Sequence, residues 1–152
     1  MKRKNSLYIK DMIDANEKIS EFIFNMKFEE FVLDDKTANA VIWKIKIIGE
    51  AVKQLPKEVI NRFPEIPWSS LAKMRDKIIH FYHSIDYEII WKVINEELLN
   101  IKPKLEKIYS VLKKDEKWEN FLCQFSAKVL DAFFIITQDV EATLPIGNKK
   151  IT

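Results

Sequence analysis

"KTANAVIWKIKIIGEAVKQLP", residues 36–56, sets Ala38, Ile42, Ile45, Ile48, Gly49, Val52 and Leu55 three or four positions apart. That period belongs to a helix with one apolar face, because strand side chains would alternate every second residue instead. Asp34 or Asp35 can cap its start and Pro56 marks its end. The same period runs through Tyr8, Met12, Ala15, Ile19, Phe22, Ile23 and Met26, which predicts a helix from about Ser6 to Met26 with Ser6 as cap. It returns in Ile90, Val93, Ile94, Leu98 and Ile101, where Asp86 is the cap. Pro103 should kink or split that helix before Leu105, Ile108, Tyr109 and Leu112.

Composition points the same way. Two glycines and five prolines in 152 residues, with 47% hydrophobic and 32% charged, suit amphipathic helices better than strands joined by tight turns. An all-α domain of four main helices is expected over residues 1–113. Residues 114–152 form a C-terminal extension in which "WENFLCQFSAKVLDAFFII" can make one amphipathic helix and "TLPIGNKKIT" a frayed tail.

Several functions fall away on the same grounds. The longest apolar clusters, "VIWKIKII" and "DAFFII", are far shorter than the ~18 apolar residues of a membrane-spanning helix. Lys10 and Asp11 break the basic N-terminus before an apolar signal core develops. Cys123 is the single cysteine, so neither an intrachain disulfide nor a thiolate metal cage can form, and packing in the core or at an interface is its expected role. Together these features place the chain in the cytoplasm, away from membranes. With 25 basic and 23 acidic residues the net charge is +2, too small for bulk attraction to a phosphate backbone, so any RNA contact must be local. There is no glycine-rich phosphate loop and no G-x-S-x-G elbow.

One segment carries chemistry. "FPEIPW" at 63–68 reads as a connector, and Pro67 suits the first turn of a third helix that continues into "MRDKIIHFYHSIDYEIIW", residues 74–91. This stretch holds both histidines, His80 and His83, among isoleucines and aromatics. Asp76 and His80 lie one turn apart on one face, whereas Arg75 and His80 stand roughly 140° apart on an ideal helix. A phosphate touched by both needs a long arginine reach, a distorted helix end or a second subunit. The residue types fit cleavage of an RNA phosphodiester: imidazole moves protons near neutral pH, and a guanidinium fork receives developing charge on phosphoryl oxygens. Asp76 could orient the imidazole of His80. A zinc site from His80, His83 and Asp76 or Asp86 lacks the usual ligand spacing, so no metal and no other cofactor is expected.

"MRDKIIHFY" resembles the R-x-x-x-x-H-x-Y signature of the HEPN superfamily, specifically the short HepT-like proteins paired with minimal nucleotidyltransferases. "LYIKDMIDANEKISEF", "KIKIIGEAVKQLP", "FPEIPWSSLAKMRDKIIHFYHSIDYEIIW" and "KPKLEKI" look like that group in the same order, over about residues 6–113. The resemblance implies a four- to five-helix up-and-down bundle that forms a homodimer and brings two signature segments into one cleft. It implies a metal-independent endoribonuclease toxin with Arg75 and His80 as catalytic pair and Asp76 in support. It also implies RNA as substrate, a cognate minimal nucleotidyltransferase as antitoxin, and Tyr82 as the acceptor that this partner adenylylates. His83 is outside the signature and is expected to be solvated or capping. A non-catalytic RNA- or substrate-binding subunit of a nucleotidyltransferase is the alternative that keeps the same fold.

Overall fold

The computed structural model describes residues 3–80 and 85–143, the side chains of 133 and 135–143 excepted. Seven α-helices follow one another: α1 (Asn5–Phe22), α2 (Phe28–Leu33), α3 (Asp35–Gln54), α4 (Lys57–Arg62), α5 (Trp68–His80), α6 (Tyr87–Lys92) and α7 (Leu99–Thr143), with a π-helical stretch, Val93–Leu98, joining the last two. No strand occurs among the described residues, and the fold is all-α. Two compact units divide at residues 113 and 114.

In the 1–113 unit α3 is the central element, packed on one side by α1 and on another by α5. All seven apolar-face positions anticipated for it, Gly49 among them, are buried. Its start is the expected one: Asp34 accepts the Thr37 amide at 3.1 Å and the Thr37 hydroxyl at 2.6 Å, satisfying a donor the first turn would leave open. The Thr37 hydroxyl, followed by its amide, holds the Asp34 carboxyl below its ordinary value.

The first helix departs from expectation in register. Met12, Ala15 and Ile19 are buried as anticipated, but Ile9, Ile13 and Asn16 join them, Tyr8 is half-buried and Phe22 is exposed. The helix ends at Phe22, and Asn25 adopts a left-handed backbone with φ of 57°, so Ile23 and Met26 lie beyond the helix, though both are half-buried against the core. Ser6 lies buried inside the first turn, while Lys4 stands at the cap position without a side-chain bond. Asn16 is buried because its amide has a partner, donating to the Leu98 carbonyl at 2.7 Å.

Two short helices were missed, since six residues are too few to display a 3.6 period. The first, α2, is closed by the Lys27 amide donating to Glu30 at 2.7 Å, and it drives Phe31 against the rings of Trp91 (5.2 Å) and Tyr87 (5.9 Å). The second, α4, follows Pro56 directly.

The motif helix α5 begins just after Pro67, whose carbonyl accepts the Leu71 amide at 3.1 Å. Asp86 caps α6 as expected, accepting the Glu88 amide at 2.8 Å. Pro103 does not break the chain: helical structure runs through it, and the irregular π-helical turns lie upstream. A missing N–H at one position removes one ladder bond, and Ile101, Leu105, Ile108 and Leu112, all buried, supply the packing that holds the helix together.

The 114–152 unit is helical to Thr143. Trp118, Phe121, Leu122, Phe125, Val129, Leu130 and Phe134 are all exposed there, and so is Cys123, which is not part of the core. Trp118 and Phe121 meet edge to face at 5.9 Å, and Phe121 stacks on Phe125 at 6.3 Å.

Candidate functional site

The site grows from a missing side chain. A Cβ built on Gly49 of α3 would collide with the Cβ of Arg75 and stand 2.8 Å from the Leu71 carbonyl, so α5 lies this close to α3 only because residue 49 is glycine. Helix packing thereby roots Arg75 against α3, and its guanidinium extends along the neighbouring turn.

That turn presents Glu50 and Lys53. Arg75 Nε donates to Glu50 Oε2 at 2.8 Å, and a terminal nitrogen lies 2.6 Å from the same oxygen. The other terminal nitrogen donates to Asp76 Oδ1 at 2.9 Å, and Lys53 Nζ donates to that oxygen at 2.5 Å. The cluster therefore holds two cations and two carboxylates. The hydrogen bond to Asp76, helped by Glu50 and opposed by burial, raises the Arg75 pKa above its ordinary value, so the guanidinium stays charged. Lys53 first, then Arg75, holds the Asp76 carboxyl below the usual carboxylate range.

Geometry makes Arg75 a prepared anion contact with a competitor already seated. Its side chain is 22% exposed and Glu50 45%, so a phosphoryl oxygen arriving from solvent competes with the more exposed carboxylate for the same N–H groups. The anticipated pairing of Asp76 with His80 is absent: the carboxylate is taken by Lys53 and Arg75. His80 is the last described residue of α5, about 7.5 Å beyond Arg75 along the axis. It is exposed and its side chain makes no hydrogen bond among the described residues. Tyr82 and His83 lie outside the described residues.

Sequence reasoning missed Glu50 and Lys53. Their spacing of three puts them on one face of α3, next to Gly49, but nothing local says that this face meets Arg75. Among the described residues no three His, Cys, Asp or Glu side chains gather as a metal-holding group. No helix among them is long and apolar enough to cross a membrane.

Comparison with known proteins gives the geometry its relatives. The family model described as "Ribonuclease HepT-like" matches residues 12–108. The "Probable ribonuclease HepT" of Thermococcus cleftensis is 44% identical over 108 residues, covering 71% of this chain and 98% of that protein. "Putative RNase MJ0127" of Methanocaldococcus jannaschii is 38% identical over 110 residues, covering 72% of this chain and 91% of the relative. No solved structure matches.

Proposed function

The chain belongs to the ribonuclease HepT-like family, and on that premise we propose that it is a metal-independent endoribonuclease, the toxin of a toxin–antitoxin pair, with Arg75 and His80 as its catalytic residues. The observation that carries the reading is the placement of Arg75. A charged arginine is fixed over Gly49 with its fork oriented by Glu50 and Asp76, and an exposed histidine stands on the same helix.

The chemistry follows from those groups. The ribose 2′-oxygen attacks the adjacent phosphorus and gives up its proton to a base. The bond to the 5′-oxygen breaks, that oxygen takes a proton, and a 2′,3′-cyclic phosphate remains. His80, exposed on α5, can serve one proton transfer, and the His80 of a second copy can serve the other in a homodimer that brings two α5 helices together. Arg75 exchanges Glu50 for a phosphoryl oxygen and stabilises the charge that develops there. Asp76 acts as a positioning residue, tying Arg75 to Lys53.

The same reading makes Tyr82 the acceptor of an adenylyl group from a cognate minimal nucleotidyltransferase, the antitoxin. Two residues past His80, the added phosphate would repel RNA from the cleft. The cytoplasm is the compartment that fits such a pair.

Purified protein incubated with RNA in chelator tests the core of this. Cleavage leaving cyclic phosphate ends is expected, reduced at least ~10²-fold in His80→Ala and in Arg75→Ala, and reduced less in Asp76→Asn. Retarded RNA without cleavage would instead make the chain a binding subunit. Sedimentation at micromolar concentration tests the dimer. For Tyr82, the nucleotidyltransferase with ATP and magnesium should silence the parent and spare Tyr82→Phe.

A further inference from the structure

A groove lined by Asn39, Ile42, Trp43 and Lys46 of α3 and by Ile78 and Ile79 of α5 lies on the same helix pair as Arg75. Its volume of about 390 Å³ falls in the range of small-molecule sites, roughly 300–1,000 Å³. Gly49 faces Leu71 and Arg75 while Ile42 faces Ile78, so α3 and α5 run antiparallel and the groove sits at the His80 end. Ile79, the residue before His80, is one of its walls.

Two side chains there stand outside the buried core. Trp43 is 57% exposed although α3 buries its other face in the core. Lys46 has no acidic partner among the described residues, and its ammonium rests 4.6 Å from the centre of the Trp43 ring. An aromatic face and an uncommitted cation in one groove are the two elements that hold a nucleotide: stacking takes any base, and the ammonium takes the phosphate. Trp43, Lys46, Glu50 and Lys53 follow at three, four and three residues, one line along α3 that passes from the groove to the Arg75 cluster. Trp43 lies about 10 Å along the axis from Glu50, within reach of a nucleotide neighbouring the reacting phosphate.

We propose that Trp43 and Lys46 form a subsite for one unpaired nucleotide of RNA next to the cleaved bond, the base stacking on the Trp43 ring and its phosphate drawing Lys46 off that ring. The subsite rests on the ribonuclease reading for its place beside the reaction. It selects single-stranded RNA, because a base held in a duplex cannot offer its face to an indole.

The test uses the full chain and two probes, a 2′-O-methylated oligoribonucleotide that has no attacking hydroxyl and the same sequence as cleavable RNA. Trp43→Ala should weaken binding of the methylated probe about ten- to a hundred-fold, Lys46→Ala about five- to ten-fold, and Trp43→Phe only slightly. On cleavable RNA, Trp43→Ala should raise KM by a like factor and leave kcat within about two-fold. A duplexed probe should bind the parent and Trp43→Ala equally. Unchanged Kd and KM in Trp43→Ala would overturn the subsite and leave the ribonuclease reading standing. If the parent cleaves nothing while binding of the methylated probe still depends on Trp43, the ribonuclease reading fails and the subsite survives. Dissociation of Trp43→Ala into monomers, with Trp43→Phe doing the same, would make the groove a subunit contact and sink the proposal.

Discussion

Along α7 two stretches with the same kind of pattern meet opposite fates. In 99–113, Ile101, Leu105, Ile108 and Leu112 recur at three and four residues and are buried; in 114–134, Trp118, Leu122, Phe125 and Val129 recur at the same spacing and are exposed. A period of 3.6 therefore states that a helix has an apolar face, and leaves open whether anything covers it. The first stretch joins a core built from elements distant in sequence, and Lys102 meets Glu17 of α1 at 3.3 Å beside it.

The contrast breaks most easily by deleting side chains from both stretches. Leu105→Ala should cost about 2–5 kcal/mol in urea unfolding, transfer and cavity together, whereas Phe125→Ala should stay within about 0.5 kcal/mol. Equal losses would mean that the exposed stretch is covered in solution. Asn16→Ala comes next, at about 1–3 kcal/mol, because it strands the Leu98 carbonyl in a dry place. An exposed polar residue of the second stretch, Gln124, should tolerate alanine without measurable change.

Gly49→Ala sharpens the comparison further. Alanine gains about 1 kcal/mol of helix propensity, yet the new methyl meets the Arg75 Cβ and the Leu71 carbonyl, an overpacking that costs about 1–3 kcal/mol. A net loss of up to about 2 kcal/mol is expected, together with a drop in RNA cleavage larger than the stability change explains. A smaller effect concerns acid. The folded Asp76 pKa is lowered, so its contribution to stability is complete above the unfolded carboxylate value near 4 and disappears as pH falls through the folded one. Asp76→Asn should flatten the acid flank of the melting curve, read as Tm against pH.

Where the pattern was dense the fold was legible. The seven spaced positions from Ala38 to Leu55 and both aspartate caps, Asp34 and Asp86, could be read because each depends only on neighbours within a turn, while Val41 and Ala51, also buried, were not among them. The register of α1 could not, since Ile9 and Ile13 compete with Tyr8 and Phe22 for the buried face and packing against α3 decides. The short helices α2 and α4 left no periodic trace. For the site, the residues of the signature stood in plain sight, and the environment of Arg75 did not: Glu50, Lys53 and Gly49 act on it across a helix–helix contact 22 to 26 positions away in sequence. The fate of Asp76 followed, because Lys53 reaches it before His80 does.

Gly49 also has a consequence for inheritance. Any amino-acid substitution there installs at least one carbon at the root of the guanidinium and displaces it without removing a single reacting group. In a lineage where silencing this protein is an advantage, inactive alleles should gather at a position that carries no chemistry of its own, beside those at Arg75 and His80.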